Sequence, residues 1–262
     1  MQPAQAASVP GTRFRLAAVA ETGSTNVDLA AWVRDGLRPD YALRTDHQTA
    51  GRGRRDRTWE APPGSGLMMS IALAEEAEQG RTGAAMASAV GLAAWRSCRA
   101  LGADVSMKWP NDLIGPVGAD GTPPKLSGLL GELVALPSGN VAVVGIGVNL
   151  RSVPDRAAAL GRAVCVLDEL CDARPSADEF GRSLLRELES VLSSLETDGP
   201  AWLAAEMTAA SGLIGRRVDV ATDTGSVAGE VLAIDDEGRL VVQTADGVVE
   251  LTVGDVASVR PV

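Results

Sequence analysis

The apolar and polar positions of the first hundred residues alternate between strand-like and helix-like patterns. Arg13–Ala20, Tyr41–Thr45 and Leu67–Leu73 are short, mostly apolar runs of strand length. Between the first two, a helix is predicted from Ser24 or Thr25 to about Arg34, because a hydroxyl residue at that position suits a helix N-cap. Residues 81–101 repeat their apolar positions at helical spacing, which predicts a long, mostly buried helix.

The middle of the chain continues this mixed pattern. Residues 105–109 predict a strand that stops at Pro110. Two apolar runs, 126–136 and 141–150, flank Pro-Ser-Gly-Asn at 137–140, which predicts a hairpin. Two or three helices are expected between about 155 and 210, and 176–195 shows the clearest apolar stripe.

The pattern changes after Gly212, where four short β-rich runs are separated by Asp- and Gly-containing turns. They are Arg217–Ala221, Ser226–Ile234, Leu240–Thr244 and Val248–Val253. Their spacing predicts a small barrel of about 50 residues. We therefore expect a disordered N-terminal tail at residues 1–12, a catalytic domain at 13–211 and a small β domain at 212–262.

Composition narrows the classes of function. The chain of 262 residues carries a net charge of -10, which argues against nucleic acid or an anionic membrane as the main partner. Three cysteines without a Cys-x-x-Cys pair indicate neither a disulfide framework nor a zinc site. We find no secretory signal and no apolar run of membrane-spanning length, so a cytoplasmic protein is expected.

Against this acidic background, one segment is strongly basic. The seven residues from Gly51 to Arg57 contain four arginines and two glycines. Glycine disfavours a helix and neighbouring like charges repel, so the segment is predicted to be a flexible loop. Guanidinium groups suit bidentate contacts with phosphate or carboxylate, and a polyphosphate substrate is the simplest explanation.

Four further segments carry candidate chemistry, and each has a plain structural alternative. Residues 22–26 (Thr-Gly-Ser-Thr-Asn) could be only a helix cap, and Lys108–Asp112 could be only a turn. Lys125 begins an apolar strand and could be an ordinary edge lysine, although Gly128 beside it would let a ligand approach the backbone. Residues 145–150 begin a Gly-x-Gly pattern but lack the third glycine of a dinucleotide fingerprint, and no P-loop is present. His47 is the single histidine, which leaves no second imidazole for a metal site.

Taken together and in this order, the basic loop Gly51–Arg55, Lys108–Asp112, Lys125–Gly128 and Gly145–Asn149 resemble the biotin–protein ligases. The resemblance covers about residues 13–150 in motif and 212–262 in pattern. It implies an α+β fold, with a mixed β-sheet catalytic domain flanked by helices, as in class II synthetases and biotin ligases, and a small SH3-like C-terminal β-barrel.

The chain departs from the family pattern in several places. Asp56 stands where the family loop usually has glycine, so an acid lies among the arginines, and Asp46 replaces a more usual glutamate. The loop at 114–124 is long. Only about a dozen residues precede the first predicted strand, too few for the helix-turn-helix domain by which some members repress transcription, so no DNA binding is expected.

The resemblance implies ATP-dependent biotinylation of a lysine on a biotin carboxyl carrier domain. Biotin's carboxylate attacks the α-phosphate of Mg²⁺-bound ATP to form biotinyl-5′-AMP, and the acceptor lysine then attacks this mixed anhydride. The catalytic residues implied are Lys125, Arg54 and Asp112. The biotin-binding residues implied are Ser24, Thr25, Asn26, Gln48, Gly51, Arg52, Gly53, Lys125, Gly128 and Gly147. The ATP- or adenylate-binding residues implied are Arg52, Arg54, Arg55, Trp59, Lys108, Asn111 and Asn149.

Other functions remain open at this point. A lipoate– or octanoate–protein ligase has a related fold, but it would need a long apolar tunnel. A nucleic-acid-binding module could use the Arg/Gly loop, although the acidic total and the lack of interleaved aromatic residues count against it. An acyl-adenylate enzyme for another small acid is the third alternative. The sequence leaves the acceptor, the metal ligands and the choice between monomer and weak homodimer undetermined.

Overall fold

The computed structural model describes residues 5–55, 57–76, 78, 80–116, 122–153 and 163–260. Its larger sheet has eight strands in the spatial order β1-β2-β3-β4-β8-β7-β6-β5. In chain order these strands are β1 (Ala6–Ser8), β2 (Arg15–Thr22), β3 (Tyr41–Gln48), β4 (Gly66–Ala74), β5 (Ser106–Lys108), β6 (Asp112–Ile114), β7 (Lys125–Val134) and β8 (Val141–Asn149). The helices are α1 (Thr25–Arg34), α2 (Gly83–Ala100), α3 (Leu167–Leu170), α4 (Ala177–Asp198) and α5 (Pro200–Ala210).

The sheet is mixed, as predicted. β2 and β3 run parallel with α1 as their crossover, and the other described neighbours in this sheet pair antiparallel. The predicted hairpin is β7 and β8, with Val134 paired to Val141. Strand β6 was not predicted, because its three residues follow a Pro-Asn-Asp turn and carry too short an apolar pattern.

Helices cover both faces of the sheet, and alternate strand residues divide between them. Leu43 and Ala72 pack in one apolar cluster with Leu29 and Val33 of α1. The strand residues that alternate with these, such as Ile71, lie on the opposite face and join the larger cluster formed with α2 and α4. This division follows from the two-residue repeat of a strand.

A second sheet follows α5 in the chain. Its strands are β9 (Arg217–Thr222), β10 (Gly225–Ile234), β11 (Leu240–Thr244), β12 (Gly247–Leu251) and β13 (Asp255–Arg260), in the order β12-β11-β10-β9-β13. All described pairs are antiparallel, as expected for the small SH3-like β unit. β13 was not predicted. We call β9–β13 the C-terminal sheet.

The C-terminal sheet contacts the larger sheet near the turn between β5 and β6. The indole Nε1 of Trp109 donates to the carbonyl oxygen of Gly238 at 3.0 Å. The backbone of Gly212 donates to the carbonyl oxygen of Met107 at 2.9 Å. The segment Lys108–Asp112 is therefore held between the two sheets.

The expectation of a disordered tail is corrected for part of its length. Ala6–Ser8 form β1, which pairs antiparallel with β2, and Val9 is buried. Small alanine and serine side chains carry little strand signal, so the sequence pattern gave no reason to expect this strand. Residues 1–4 lie outside the described part of the chain.

Candidate active site

The ends of two parallel strands bring the first group of polar residues together. β2 and β3 are in register with Thr22 opposite Gln48. Parallel strands end on the same side of a sheet, so the segment after β2, with Ser24 and Thr25, lies beside Gln48. Ser24 occupies the N-cap position of α1, yet its hydroxyl makes no capping hydrogen bond. The simplest structural explanation for this serine therefore does not apply.

Hydrogen bonds fix these residues as a rigid, uncharged wall. Oε1 of Gln48 accepts from the backbone N–H of Thr25 at 2.8 Å and from its hydroxyl at 3.0 Å. The fully buried hydroxyl of Ser70 lies 2.7 Å from Thr25 Oγ1 and 2.5 Å from Asn26 Oδ1. Asn26 in turn donates to the carbonyl oxygen of Leu130 at 3.1 Å. We call Ser24, Thr25, Asn26, Gln48 and Ser70 the polar cradle.

Glycines of the sheet make room for this arrangement. A Cβ at Gly145 would lie 2.2 Å from Oδ1 of Asn26, so that position has space only for hydrogen. A Cβ at Gly147 would lie 2.2 Å from the ring of Trp59, and one at Gly128 would lie 2.7 Å from Nζ of Lys125. The prediction that Gly128 and Gly147 permit close approach to the sheet thus has a geometric basis.

The basic loop, which we define as Gly51–Trp59, is closed by backbone hydrogen bonds. The N–H of Trp59 donates to the carbonyl oxygen of Gly51 at 3.0 Å, and Gly53 N–H donates to Arg57 at 2.6 Å. A Cβ at Gly51 would lie 2.2 Å from the carbonyl oxygen of Trp59, so this crossing requires glycine. Asp56, the acid that departs from the family's loop pattern, lies outside the described residues.

Three loop arginines line the cavity that the cradle borders, and two of them, Arg52 and Arg54, contact residues of the larger sheet and its turns. Nη1 of Arg52 lies 2.8 Å from Oε1 of Glu132 on β7. Nη1 of Arg54 donates to Oδ1 of Asn111 at 3.1 Å. Asn111 also donates to the carbonyl oxygen of Leu129 at 2.7 Å, which orients its amide toward Arg54. Arg54 and Asn111, both predicted to bind ATP or the adenylate, therefore form one hydrogen-bonded unit.

The other two described arginines of the loop contact the C-terminal sheet. Arg55 lies 3.1 Å from Asp223 and 3.2 Å from Asp255, and Arg57 lies 2.7 Å from Asp255. Arg55 does not line the cavity. The prediction that Arg55 binds the adenylate therefore lacks support in this conformation, because both available acids draw its guanidinium outward.

Trp59 stands inside the cavity. Its ring packs against Gly147 and Gly128, and Nζ of Lys125 lies 5.9 Å from the ring centroid. Its indole Nε1 is buried without a hydrogen-bond partner among the described residues. Trp59 was predicted on the nucleotide side, whereas this position puts it above the same glycines as the predicted biotin site.

A lysine and a carboxylate meet at the start of two strands. Nζ of Lys125, which begins β7, lies 2.5 Å from Oδ1 of Asp112, which begins β6. Both side chains are mostly buried. The carboxylate fixes the position of the ammonium group at the edge of the cavity and offsets part of its charge.

Two residues predicted to bind the nucleotide, Lys108 and Asn149, do not line the cavity. Lys108 lies opposite Asp112 in the β5–β6 pair and faces a neighbouring groove rather than the cavity. Burial lowers the pKa of Lys108, although Asp112 and Asp255 oppose that shift. Asn149 is buried, and its amide donates to the carbonyl oxygens of Lys125 and Cys165, both at 3.2 Å. In this conformation Asn149 supports the strand of Lys125 and does not line the cavity.

The cavity is small, with a volume of about 80 Å³. Pockets for small molecules usually hold roughly 300–1,000 Å³. The basic loop and the ring of Trp59 occupy space between the cavity walls, and we call this arrangement the closed state of the site. The predicted residues on its wall are Ser24, Thr25, Asn26, Gln48, Arg52, Gly53, Arg54, Trp59, Asn111, Asp112, Lys125, Gly128 and Gly147. The predicted residues that do not line it are Gly51, Arg55, Lys108 and Asn149.

A larger groove of about 570 Å³ opens beside the cavity, and the two share Arg54, Asn111 and Asp112. It lies along the outer edge of β7, because β6 pairs with β7 only as far as Gly128 and no other described strand continues the pairing. Leu133 on this edge is 53% exposed. We call this space the side groove.

Several site residues were not predicted. Ser70 lies in an otherwise apolar strand, and no local sequence motif marks Glu132 or Asp255. The described residues contain no group of three or more His, Cys, Asp or Glu side chains that could hold a metal ion. In the same part of the chain, no helix is long and apolar enough to cross a membrane.

Comparison with known families gives matches to both parts of the chain. The profile of the Biotin/lipoate A/B protein ligase family matches residues 36–150, and that of the Biotin protein ligase C terminal domain matches residues 213–257. The chain is also similar to the solved structure of biotin protein ligase from Aquifex aeolicus in complex with biotin and ATP. That similarity has a TM-score of 0.76 at 24% identity, over 94% of this chain and 99% of the other.

Sequence similarity to two named enzymes extends over most of the chain. The biotin–[acetyl-CoA-carboxylase] ligase of Mycobacterium tuberculosis is 35% identical over 252 residues, which cover 94% of this chain and 90% of the relative. The enzyme of the same name from Paracoccus denitrificans is 30% identical, over 87% of this chain and 94% of the relative. This extent of similarity, across both sheets, shows that the chain belongs to the biotin protein ligase family.

Proposed function

We propose that the chain is an ATP-dependent biotin–protein ligase that acts through a biotinyl-5′-AMP intermediate. The observation that carries this proposal is the division of charge within one cavity. The polar cradle is neutral and meets the sheet at Gly145, whereas Nζ of Lys125 lies beside Gly128, whose partner Gly147 is two residues further along the strand. Arg54 adds a second positive charge to the cavity wall. Biotin has the same division, because its ureido ring is neutral and its carboxylate is anionic. The names of the relatives agree with this assignment.

In this proposal the ureido ring binds the polar cradle, where Ser24, Thr25 and Gln48 offer both donors and acceptors. Gly128 and Gly147 lie under the bicyclic ring, at the place where Trp59 now stands. The valeryl chain then runs toward Lys125. A cradle held by internal hydrogen bonds loses little freedom when it binds, which favours affinity.

Biotin can enter only if the basic loop moves, since the closed cavity is too small. We infer that Trp59 leaves its place on Gly147 and returns as part of the cover over the bound ring. Closure of this kind excludes water, and water would otherwise hydrolyse a mixed anhydride. The two loop glycines assigned to biotin, Gly51 and Gly53, both serve the loop's own backbone crossing, and Gly53 also lines the cavity whereas Gly51 does not.

The first half-reaction brings a carboxylate to the α-phosphate of ATP. Two anions repel, so cations at the meeting point stabilise the transition state more than the separate substrates. Lys125 is placed for this role because its ammonium lies beside Gly128 on the cavity wall, whereas the cradle meets the sheet at Gly145. Its ammonium has three donors, so it can keep Asp112 and still contact both reacting groups. Arg54, held by Asn111, is the second cation.

Mg²⁺ is expected to enter with ATP. Magnesium usually keeps several waters and binds through substrate phosphates with one or two protein carboxylates. The absence of an acidic cluster among the described residues fits a metal held mainly by the nucleotide. Its chemical contribution is to neutralise phosphate charge, as the charged loop residues do from the protein side.

The second half-reaction needs a neutral lysine of the acceptor protein. We propose that this lysine enters through the side groove, which leads past Leu133 to Asp112. Asp112 accepts the proton that the attacking amine loses, because it lies on the wall common to cavity and groove. Lys108 lines the side groove, where its positive charge disfavours a protonated incoming amine.

Some expectations from the sequence remain proposals. The acceptor is a biotin carboxyl carrier domain of a carboxylase, in keeping with the names of the relatives. We propose a cytoplasmic location, a monomer or weak homodimer, and no binding to DNA. The net charge of -10 supports the last of these.

Calorimetry and thermal unfolding test the function directly. Biotin, lipoate and octanoate would be added to separate samples of the full chain, each with and without Mg²⁺ and ATP. Biotin with Mg²⁺ and ATP should stabilise the chain more than either substrate alone, because a retained intermediate adds about 4 kcal/mol at a thousandfold excess over its Kd. An equal response to lipoate or octanoate would contradict the assignment, as would failure to release pyrophosphate.

A further inference from the structure

One carboxylate of the C-terminal sheet meets three arginines of the basic loop. Oδ2 of Asp255 lies 2.7 Å from Nη2 of Arg57 and 3.2 Å from Nη1 of Arg55. Its other oxygen lies 3.9 Å from Nη1 of Arg54. Asp255 is the first residue of β13, and its side chain borders the active-site cavity. The C-terminal sheet thus contributes a charged group to the site itself.

The carboxylate of Asp255 offsets the repulsion among the arginines of the loop. Three guanidinium groups within five residues repel one another, and they need a common anion to stay together without a nucleotide. Asp255 fills this position, with Asp223 as an outer second acid on Arg55. The two acids differ in setting, because the side chain of Asp255 is 32% exposed and that of Asp223 is 79% exposed. Solvent screens the outer pair much more strongly.

The three contacts of Asp255 with the loop arginines differ in length, and the lengths show which arginines it holds. Arg55 and Arg57 hydrogen-bond to Asp255, whereas Arg54 is only near it and donates instead to Asn111 at 3.1 Å. A nucleotide phosphate could therefore bind Arg54 without breaking either strong bond to Asp255. This geometry suits an anchor that stays in place during catalysis, and it does not suit a competitor that must be displaced.

We propose that Asp255 is a positioning residue that anchors the basic loop to the C-terminal sheet and so holds Arg54 at the reacting phosphate. The proposal rests on the function proposed above and adds the part of the C-terminal sheet in it. Asp255 acts through Arg55 and Arg57, because its hydrogen bonds to these two side chains hold the loop at two points. Without the anchor, the loop closes less often, and a bound adenylate escapes sooner.

The test compares Asp255→Asn with Asp223→Asn in the full chain. The first change removes the shared anion with little change of shape, and the second removes an exposed acid from the same sheet. Trypsin should cut the loop between Arg52 and Arg57 faster in Asp255→Asn than in wild type, in the absence of any substrate. Adenylate release and the KM for ATP should both rise about tenfold, the effect of losing one hydrogen bond to a charged group. The Kd for biotin alone should stay within about twofold, because the cradle is unchanged.

Matched variants separate positioning from general damage. Asp223→Asn should behave as wild type in every assay, and Asp255→Glu should restore part of the slow adenylate release. If Asp255→Asn unfolds at the assay temperature, Arg57→Gln removes the same bond from the loop side and should give the same pattern. A merely structural role would lower the melting temperature without changing the KM for ATP relative to kcat.

Two outcomes would overturn the proposal. Wild-type rates of loop cleavage and adenylate release in both Asp255→Asn and Arg57→Gln would show that the contact does not anchor the loop. Slower release or a lower KM for ATP would show that Asp255 competes with the nucleotide. If the proposed function itself were wrong, the turnover assays would fail in wild type too, whereas the cleavage assay needs no substrate and would still report on the anchor.

Discussion

At the scale of single residues, the site depends on where each charge is held. Lys125 lies against Asp112 and beside Gly128, whereas the neutral cradle meets the sheet at Gly145, two residues along the strand from Gly147, the partner of Gly128. An ammonium group fixed before the substrates arrive needs no reorganisation when negative charge builds up. The position of this one nitrogen should therefore affect the chemical step much more than the binding of biotin.

Lys125→Ala should lower the rate of adenylate formation by about 10²–10³, the usual effect of losing one transition-state contact. Biotin should still bind, because its ring contacts the cradle. Pyrophosphate release and calorimetry with biotin measure the two effects separately. Lys125→Arg is the matched control, since it keeps the charge and should retain part of the activity. Normal turnover in the alanine variant would remove Lys125 from the mechanism.

Residues with a local signal were predictable, and residues without one were not. Ser24 and Thr25 stood out as a hydroxyl cluster at a predicted helix start, and the family resemblance added Gln48; all three line the cavity. Ser70 was missed, because a single serine in an otherwise apolar strand has the composition of an ordinary core strand. The loop was expected to be mobile for lack of partners, yet its arginines pair with acids that the chain supplies far away in sequence.

At the scale of secondary structure, the length of one strand decides what the site can receive. β7 is ten residues long, but β6 has only three. The longer strand therefore leaves an unpaired edge beside the cavity. Hydrophobic alternation predicted the β7–β8 hairpin, because both strands are long and apolar. It could not predict β6, whose three residues depend on tertiary pairing for their stability, or β13, in which two valines stand among small and charged residues.

Leu133→Arg should raise the KM for the acceptor protein and leave adenylate formation unchanged. The reason is that Leu133 is exposed on the edge of the side groove and lies away from the polar cradle. A charge there would weaken apolar contact with an incoming domain by about 1 kcal/mol or more, a several-fold change in KM. Leu232→Arg is the control, since Leu232 is 42% exposed on the C-terminal sheet. Equal effects of the two changes would place the acceptor elsewhere.

At the scale of the whole molecule, ion pairs tie distant parts of the chain together on the side opposite the loop. Arg13, just before β2, lies 3.0 Å from Glu189 and 2.8 Å from Glu196, both on α4. Arg81 also reaches Glu196, at 3.1 Å. These side chains are partly buried, so solvent screens them less than exposed pairs. This network could not be predicted from local patterns, because the paired residues are more than 100 positions apart in the chain.

Glu196→Gln should lower the melting temperature at pH 7 by about 2–4 °C, which corresponds to roughly 1 kcal/mol for a chain of this size. The hydrogen bond from Arg13 lowers the pKa of Glu196 below its ordinary 4.5. A lowered pKa stabilises the fold above pH 4.5, and this contribution is lost as the pH falls through the folded value. Wild type and variant should therefore converge in acid.

Thermal unfolding from pH 7 to pH 3 measures this convergence. Glu187→Gln is the control, because Glu187 lies on the same helix and makes no ion pair among the described residues. A difference between wild type and Glu196→Gln that persists unchanged to pH 3 would mean that packing, rather than charge, is responsible.

The contact between Arg55 and Asp255 joins residues 200 positions apart, and this separation has a consequence for biosynthesis. A ribosome makes the basic loop, the polar cradle and Lys125 long before it makes Asp255. During that interval the nascent chain can fold its larger sheet, but it has no anchor for the loop. The closed site is thus completed only after residue 255 has been made, and chains that stop before it would be poor at retaining a reactive intermediate.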